Sequence, residues 1–372
     1  MTTNPNTTHA HQIYVTGTRG IPNIMGGVET HCEELFPRLV ALGYDVTVIR
    51  RQSYARDTLR RFKGVKLIDI AAPRSKSFEA ITHTWRAIWT ARRHHADILH
   101  IHACGPALLV PLARMLGMKV VFTHHGEDYD RAKWNWAAKM VLRLGEAMGA
   151  FGANEVIAIS EHIQNLLVRK YHIGRKLHLI HNGVTPPEEV ATPEYFEELG
   201  IEPGKYILGM CRFSPEKNLH HLIEAFSKID RHDCRLVIAG DSDFTDDYST
   251  RLRRMAIEND VVLTGFIKGK RLHSLLRHTR CYVLPSSHEG LPIAMLEAMS
   301  YGAEIIVSDI PANREVGLPA KHYFHCGDIP QLTAKLQANV DAPYTRTSYD
   351  MDKYNWDLIA EQVSDVYKKM CP

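Results

Sequence analysis

A chain of 372 residues is too long for one ordinary domain and is long enough for two of middle size. Hydrophobic residues make up 45% and charged residues 23%, as in typical globular proteins, and no run approaches the ~18 to 20 uninterrupted apolar residues of a membrane-spanning helix. The seven cysteines are dispersed without a Cys-x-x-Cys pair, and the polar segment 1–12 lacks the apolar core of an export signal. We therefore expect a cytoplasmic protein with reduced thiols.

The net charge of +3 conceals an uneven distribution along the chain. Residues 1–187 contain 24 Lys and Arg against 14 Asp and Glu, whereas residues 188–372 contain 21 against 28. Basic stretches occur at 50–66 and around Trp85 and Trp89. Such stretches form either a solvated charged face or a surface for an anionic membrane or a phosphate-bearing acceptor. Because no nucleic-acid-binding module accompanies the charge, nucleic acid is not an expected partner.

Short apolar runs rich in Val and Ile alternate with longer helical patterns. In the first half these runs predict strands at Ile13–Thr16, Val46–Ile49, Val65–Ile70, Ile98–Ala103, Val120–Thr123, Val156–Ile159 and Leu177–Ile180. In the second half they predict strands at Tyr206–Met210, Arg235–Ala239, Val261–Thr264, Tyr282–Leu284, Ile305–Ser308 and His322–His325. Runs that are apolar throughout and separated by helices indicate parallel strands covered on both faces. The sequence therefore predicts an α/β fold of two doubly wound, Rossmann-like domains that face a cleft.

The joint between the two predicted domains lies at 182–188, where Gly and paired Pro interrupt both patterns. This division gives an N-terminal domain at 1–186 and a C-terminal domain at 187–353. The remaining residues, 354–372, are predicted to form a helix as far as Lys369. Because ligands of doubly wound sheets bind at the carboxyl ends of the strands, functional residues are expected just after strand ends.

The first such motif contains Gly26 and Gly27, which open a helix predicted to run to about Leu42. Unhindered amides at a helix start suit a phosphate group, although a tight strand-to-helix turn is the alternative. The Gly-x-Gly-x-x-Gly fingerprint is absent, and the second strand ends at Arg50-Arg51 rather than at an acidic residue. A nicotinamide-dependent dehydrogenase is therefore disfavoured.

The second motif is a pair of histidines, His124 and His125, at the end of the strand Val120–Thr123. An imidazole at this position can bind a sugar hydroxyl or a phosphate oxygen, and a structural histidine is the alternative. His100 and His102 share one face of the preceding strand, but no Cys or Glu pattern completes a zinc site with them. No metal is predicted.

The third motif places Arg212 and Lys217 directly after the strand Tyr206–Met210. Two cations at a strand end can converge on a diphosphate, Arg through a bidentate fork and Lys as a point charge. Either residue alone could instead be a solvated surface cation without a functional role. The position of the two together at a strand end makes that interpretation weaker.

The fourth motif has two glutamates, Glu289 and Glu297, separated by seven residues. Pro292 is predicted at the first helical position, so that the free amides of the helix start point at the ligand. Carboxylates beside a diphosphate are useful when they accept hydrogen bonds from hydroxyl groups. The motif therefore predicts a ligand that carries hydroxyls as well as phosphates.

Together these motifs resemble the retaining glycosyltransferases of family 4, which have the GT-B architecture. The resemblance covers nearly the whole chain and is strongest over 206–309, where CRFSPEKNLHHLIEAF, RLVIAGDS, VVLTGFI and SSHEGLPIAMLEAMSYG follow in family order. The Glu-x7-Glu motif with its Gly-Leu-Pro is the most specific part. By this resemblance the N-terminal domain is the acceptor side, onto which the C-terminal helix packs back, and the C-terminal domain binds a nucleotide-sugar.

The resemblance implies a role for each candidate residue. Arg212 and Lys217 would hold the diphosphate, Glu297 the ribose hydroxyls and Glu289 the donor sugar near its 3-hydroxyl, while His125 would lie near the reacting sugar. The other implied donor contacts are Gly26 and Gly27 on the phosphate side, Gly265, Phe266 and Ile267 beside the base, and Gly290, Leu291, Pro292 and Ile293 at sugar and phosphate. Thr18, Arg19 and Asp128 are the implied acceptor-side residues.

The segments GTRGIP, GGVET and HGEDYDRAKW resemble a bacterial subgroup that builds cell-surface polysaccharides and includes rhamnosyltransferase-like members. In some of those members the position of His125 is Asp, which makes dTDP-rhamnose a weaker donor prediction than a UDP-sugar. Cys211 and Asn218 also depart from the pattern, which often has Gly at both positions. Neither departure removes a charged residue.

The resemblance implies transfer of a hexose-type sugar to a glycan or lipid-linked saccharide, with retention and without a metal or other cofactor. In the implied mechanism the diphosphate leaves toward Arg212, Lys217 and the helix amides, and the acceptor hydroxyl attacks from the same face. From the cysteines and the charge distribution, rather than from the resemblance, we expect a cytoplasmic location, with peripheral contact to an anionic membrane surface on the inner face of the cell membrane as the functional alternative to a solvated basic face. Two other classes are less favoured by the sequence. For a sugar-nucleotide epimerase of the same architecture, the Glu-x7-Glu spacing and the Arg/Lys pair favour transfer instead. A solute-binding protein with two α/β lobes would need an export signal, and segment 1–12 does not resemble one.

Overall fold

The structure is a computed structural model that describes residues 10–73, 79–131, 134–188, 193–243 and 245–371. These residues form two compact units. The first contains the described residues up to Tyr129, the range Trp134–His181 and the helix from Trp356, and the second contains the described residues of Asn182–Asn355 with a short piece at 130–131. Within these ranges, no helix combines the length and the apolar character needed to cross a bilayer.

The first unit is built on an eight-stranded sheet with the order β3-β4-β2-β1-β5-β6-β7-β8. Its strands are β1 Gln12–Thr16, β2 Asp45–Arg51, β3 Arg61–Phe62, β4 Val65–Ile70, β5 Ile98–His102, β6 Lys119–His124, β7 Glu155–Ala158 and β8 Leu177–Leu179. Its helices up to β8 are α1 Gly27–Ala41, α2 Glu79–Arg93, α3 Cys104–Ala107, α4 Val110–Met115, α5 Trp136–Gly152 and α6 Glu161–Tyr171. All neighbouring strands are parallel except β3 and β4. Every residue of the central strand β5 is buried, because helices cover both faces of the sheet.

The second unit contains a six-stranded parallel sheet with the order β11-β10-β9-β12-β13-β14. Its strands are β9 Tyr206–Met210, β10 Arg235–Ala239, β11 Val262–Gly265, β12 Cys281–Leu284, β13 Glu304–Ser308 and β14 Tyr323–Phe324. Its helices are α7 Pro193–Leu199, α8 Leu219–Phe226, α9 Asp247–Glu258, α10 Lys270–His278, α11 Ile293–Ser300, α12 Pro311–Arg314 and α13 Ile329–Asp341. The apolar face of α8 is packed into the core against the sheet.

The last helix, α14 Trp356–Met370, belongs to the first unit and packs against α1. The hydroxyl groups of Tyr44 and Ser364 lie 2.9 Å apart, and Arg38 donates to Asp357 at 2.7 Å. The aromatic side chain of Trp356 is buried in the first unit. The two ends of the described chain therefore contribute to the same core.

The prediction of doubly wound, Rossmann-like α/β domains is confirmed for each unit. The sequence pattern missed β3, whose two residues are too few for a periodicity to show. The predicted strand at His322–His325 is reduced to the two residues of β14. The prediction that Pro292 is the first helical residue was wrong by one position, because its ψ of 108° is extended and α11 begins at Ile293.

Candidate functional site

The candidate cations and carboxylates of the second unit follow neighbouring strands. β9 and β12 pair in parallel, so their carboxyl ends meet at one edge of the sheet. Arg212 and Lys217 follow β9, Glu289 follows β12, and Glu297 lies in the second turn of α11. The topology therefore brings together residues that are more than 70 positions apart in the chain.

The closest contact in this group is an ion pair between Lys217 and Glu289. The ammonium Nζ donates to the carboxylate Oε1 at 2.5 Å, and the two side chains are only 18% and 9% exposed. A charge-assisted hydrogen bond in a partly dry position is stronger than one in water and fixes the direction of the ammonium. At the carboxyl ends of β9 and β12, the pair therefore places an oriented cation next to a carboxylate.

The two loops that carry this pair are bound to each other. The amide of Ser287 donates to the carbonyl of Glu216 at 2.9 Å, and the side-chain amide of Asn218 donates to the carbonyl of Pro285 at 3.1 Å. Asn218 has a φ of 49°, in the left-handed region that Gly and Asn tolerate best. This conformation accounts for Asn at a position where the resembling family often has Gly.

Arg212 has a carboxylate partner that the sequence patterns did not identify. Its Nη1 donates to Asp243, on the loop after β10, at 3.2 Å. The loops after β9 and β10 approach so closely at Gly240 that a Cβ there would lie 2.0 Å from the carbonyl oxygen of Cys211. Burial raises the pKa of the Cys211 thiol to about 12, which favours the protonated thiol over the reactive thiolate.

Glu297 lies on α11, the helix that follows β12 and the Glu289 loop. The pKa of the Tyr282 phenol, on β12, is raised mainly by burial. The Cys211 thiol raises it further, followed by the carboxylates of Glu289 and Glu297. The Tyr282 hydroxyl donates to the carbonyl of Met210 at 3.3 Å and ties β12 to the end of β9. The Lys217–Glu289 pair therefore lies after the carboxyl end of β12, and Glu297 lies on the helix that follows.

The predicted base and phosphate contacts lie on loops of the same sheet edge. Gly265 ends β11 with a φ of 70°, the ring of Phe266 is 41% exposed, and Ile267 is half-buried beside it. The segment from Gly290 to Ile293 leads into α11, with the side chains of Leu291 and Ile293 buried and Pro292 between them. An exposed aromatic ring beside main-chain groups is chemically suited to a flat base.

In the first unit, Gly26 and Gly27 lie at the start of α1, as the pattern indicated. Gly26 has a φ of 148°, and a Cβ there would lie 2.1 Å from Oε2 of Glu29. Gly27 has open space where a side chain would be. Main-chain groups at this helix start are therefore accessible from one side, which suits an anion.

Glu29 organises the loop between β1 and α1. Its Oε1 accepts hydrogen bonds from the amide of Arg19 at 3.0 Å and from the hydroxyl of Thr18 at 3.3 Å, and its Oε2 pairs with the Arg19 guanidinium at 3.1 Å. Thr18 and Arg19 are both buried by these contacts. Asp128, the third acceptor-side residue of the sequence prediction, is half-buried in a single helical turn after β6. The acceptor role of all three residues stays a prediction.

His125 belongs to a cluster of imidazoles. Its Nε2 lies 2.9 Å from Nδ1 of His102, and its ring packs edge-on against His31 at 4.9 Å between centroids. Burial, and then the neighbouring His31, lower the pKa of His125 well below its ordinary value. The cluster therefore presents a neutral imidazole, which can exchange hydrogen bonds without carrying charge.

His124 has the contacts of a structural histidine. It is fully buried, accepts from the amide of Gly126 at Nδ1 (3.2 Å), and donates from Nε2 to Glu146 at 2.9 Å. Burial alone would raise the pKa of Glu146, but hydrogen bonds from His124, Lys170 and Tyr171 lower it to about 2. Glu146 lies on α5, 22 residues away, and no local pattern indicated the contact.

Two groups of described side chains have donor atoms of the kinds that a transition metal takes. They are His31, His102 and His125, and, separately, Cys104, His124 and Glu146. The sequence pattern had found no Cys or Glu to complete such a set, because Cys104 and Glu146 come from different helices. In the second group the Lys170 ammonium already balances the carboxylate at 2.5 Å, which leaves little negative charge for a cation.

Comparisons with known proteins match both units. Residues 25–187 match the family "Glycosyltransferase Family 4", and residues 191–350 match the family "Glycosyl transferases group 1". An uncharacterised glycosyltransferase of Methanocaldococcus jannaschii is 24% identical over 93% of this chain and 95% of its own. The UDP-Gal:alpha-D-GlcNAc-diphosphoundecaprenol alpha-1,3-galactosyltransferase of Escherichia coli is 24% identical over 78% of each chain.

Among solved structures, Anabaena HepE in complex with UDP and glucose superposes with a TM-score of 0.79 at 16% identity, over 97% of this chain and 100% of that chain. Likeness at this identity concerns the fold. The fold, the two family matches and the relatives agree with one another. The chain is a glycosyltransferase of the GT-B type, composed of a Glycosyltransferase Family 4 domain followed by a Glycosyl transferases group 1 domain.

Proposed function

We propose that the protein is a retaining, metal-independent hexosyltransferase that uses a UDP-sugar and glycosylates a glycan or lipid-linked saccharide in cell-surface polysaccharide synthesis. The observation that carries the proposal is the Lys217–Glu289 ion pair, with Arg212 and Glu297 on the same sheet edge. Cations for a diphosphate and carboxylates for hydroxyl groups are the complement of a nucleotide-sugar.

On the donor side, both cations are paired with carboxylates of the same sheet edge. Lys217 is paired with Glu289 and Arg212 with Asp243. When the diphosphate binds, its oxygens take over part of these hydrogen bonds, and the carboxylate of Glu289 becomes available to a sugar hydroxyl. The exchange couples the placement of the phosphates to the placement of the sugar, because the same pair serves both.

In the reaction, the bond between the anomeric carbon and the β-phosphate oxygen breaks while the acceptor oxygen bonds to the same carbon from the same face. The proton of the acceptor hydroxyl passes to a departing phosphate oxygen. Lys217, Arg212 and the main-chain amides around α11 stabilise the negative charge that develops on the diphosphate. No nucleophilic side chain and no metal takes part.

His125 contributes a neutral hydrogen bond. When its Nε2 accepts from His102, the proton is on Nδ1, which can donate to a hydroxyl of the transferred sugar. A neutral donor is suitable here because it can hold a sugar hydroxyl without adding a charge beside the reacting carbon.

The preference for UDP is supported by the name of the Escherichia coli relative and by the nucleotide bound to Anabaena HepE. dTDP-rhamnose is the alternative donor, and epimerisation of the donor is the alternative reaction. A thermal-shift screen of UDP-, GDP-, ADP- and dTDP-sugars identifies the donor, since a ligand that binds only the folded state raises Tm. Product that forms only when acceptor is present supports transfer, whereas turnover of the donor sugar alone supports the epimerase.

A lipid-linked acceptor is supported by the same relative, which is named for a diphosphoundecaprenol-linked substrate. The excess of Lys and Arg over residues 1–187 suits an acceptor that bears phosphate and lies in an anionic membrane. We include peripheral association with the inner face of the cell membrane in the proposed function. The test is sugar transfer to a synthetic polyprenyl-diphosphate saccharide compared with the same saccharide without lipid.

A further inference from the structure

The helix α5 carries an apolar stripe on its exposed side. Trp136, Met140 and Phe151 are 79%, 59% and 60% exposed, and Leu144 lies between them on the same side. The spacing of four residues from Trp136 to Met140 and from Met140 to Leu144 keeps these side chains on one face of the helix. A contiguous exposed apolar stripe of this kind marks an interaction surface more often than chance.

The sheet topology places other exposed apolar residues on the same side of the first unit. The chain moves along the sheet in one direction from β4 through β5, β6 and β7 to β8, whereas it moves in the opposite direction from β1 to β2. Because such crossovers are right-handed, α2 to α6 cover one face and α1 covers the other. The observed packing of α2 on α3, of α3 and α4 on α5, and of α5 on α6 agrees with this arrangement.

We call the outward side of α2 to α6 the α2–α6 face. Besides the α5 stripe, its exposed large apolar residues are Trp85, Trp89, Met115, Val141 and Val168. In the described part of the first unit, three exposed large apolar residues lie outside α2 to α6: Leu42, Leu59 and Leu358. Exposed apolar side chains are therefore concentrated on one face of the unit.

Charge is divided between the two faces in the same way. The helices α2 to α6 contain eight Lys and Arg against three Asp and Glu, and two of those acids, Glu79 and Glu146, are buried. On the opposite face, α1 and α14 contain three Lys and Arg against six Asp and Glu, of which Glu29 is buried. One face is basic and apolar, and the other is acidic.

We infer that the α2–α6 face is the surface by which the protein lies on an anionic lipid bilayer, with the α5 stripe inserted at the headgroup level. Tryptophans with cations beside exposed aliphatic side chains are the composition of an interfacial membrane surface. Nucleic acid would not need the apolar stripe, and the acidic opposite face would be repelled by the same membrane, which fixes the orientation. The inference deepens the membrane part of the proposed function and is independent of the transfer reaction.

The test is co-sedimentation of the full chain with lipid vesicles. One arm uses anionic vesicles that contain phosphatidylglycerol, and the other uses neutral vesicles of phosphatidylcholine alone. We expect binding to the anionic vesicles that weakens with salt. The variant Trp136→Ser/Met140→Ser should bind about tenfold more weakly or worse, since its apolar area no longer enters the lipid. The matched control, Leu42→Ser/Leu358→Ser, removes exposed apolar side chains away from this face and should bind like the wild type.

A second pair of variants tests the charges. Arg92→Gln/Arg93→Gln removes two exposed cations from the last turn of α2, and Lys368→Gln/Lys369→Gln removes two from the last turn of α14. The first should weaken anionic-vesicle binding by about tenfold at low salt, and the second should not. An unchanged far-UV circular dichroism spectrum shows that each variant is folded.

Three results would overturn the inference: equal binding of both vesicle types by the wild type, equal losses in each variant and its control, or no vesicle binding together with self-association that Trp136→Ser/Met140→Ser abolishes. The last result would assign the stripe to a second copy of the chain. Absence of sugar transfer by the wild type counts against the proposed function only, because vesicle binding is measured without donor.

Discussion

The ammonium of Lys217 and the carboxylate of Glu289 lie 2.5 Å apart, on two loops that follow neighbouring parallel strands. A cation for the phosphates and an acceptor for a sugar hydroxyl are thereby held at hydrogen-bond distance. The pair is partly buried, so removal of either charge changes the environment of the other.

Replacing Lys217 by Ala should weaken UDP binding by about 10- to 150-fold, since charge-assisted hydrogen bonds contribute about 1.5–3 kcal/mol. Isothermal titration calorimetry with UDP measures the effect. Lys228→Ala is the control, because this exposed lysine is also paired with a glutamate, Glu224, at 2.8 Å. Equal UDP affinity of both variants would show that Lys217 does not hold the diphosphate.

Replacing Glu29 by Gln should destabilise the protein by about 3–5 kcal/mol, because the buried guanidinium of Arg19 would lose the negative charge of Glu29. Urea unfolding measures the change. Glu258→Gln, in an exposed pair with Arg254, should leave the midpoint nearly unchanged. A small effect at Glu29 would mean that Arg19 finds water or another partner when the carboxylate is lost.

The strands and the fold class could be predicted because apolar runs without alternation are characteristic of parallel sheets covered on both faces. Lys217 and Glu289 were each predicted to be functional from their positions after strand ends. Their direct contact was not predicted, because the local hydrophobic periodicity of a sequence does not show that β9 and β12 are neighbours in the sheet. Asp243 and Glu146 were missed for the same reason, because each meets its partner through tertiary packing.

Lowering the pH should reduce the free energy of unfolding, because histidines that are buried in the neutral form gain a proton more readily in the unfolded chain. Burial, followed by the neighbouring His31, lowers the pKa of His100 to about 3. In the unfolded chain the same histidine has its ordinary pKa near 6.5. Between about pH 6.5 and 3, the unfolded chain therefore binds one more proton at His100 than the folded chain does. The stabilising contribution is complete above about pH 6.5 and is lost as the pH falls, by about 1.4 kcal/mol per pH unit.

The variant His100→Asn should therefore have a shallower dependence of unfolding free energy on pH between 6.5 and 4 than the wild type. Its overall stability also falls, because hydrogen bonds to Tyr367 and Thr123 are lost, but the slope is the readout. An unchanged slope in His100→Asn would mean that this imidazole is not held neutral in the fold.

Sugar transfer should persist when divalent cations are removed, because Arg212, Lys217 and helix amides are proposed to neutralise the leaving diphosphate. The measurement is transfer rate with and without chelator, with added magnesium or manganese as the control. A rate that falls on chelation and recovers on addition of either ion would contradict the metal-independent mechanism.

The central claim is that Glu297 binds the nucleotide whereas Glu289 orients the transferred sugar, and calorimetric titration of UDP tests it most directly. Glu297→Ala should bind UDP about 10- to 150-fold more weakly, as expected for the loss of charge-assisted hydrogen bonds to ribose hydroxyls. Glu289→Ala should bind UDP as tightly as the wild type or more tightly, since UDP lacks the sugar and Lys217 is released for the diphosphate. Equal losses of UDP affinity in the two variants, or no loss in Glu297→Ala, would contradict the assigned roles.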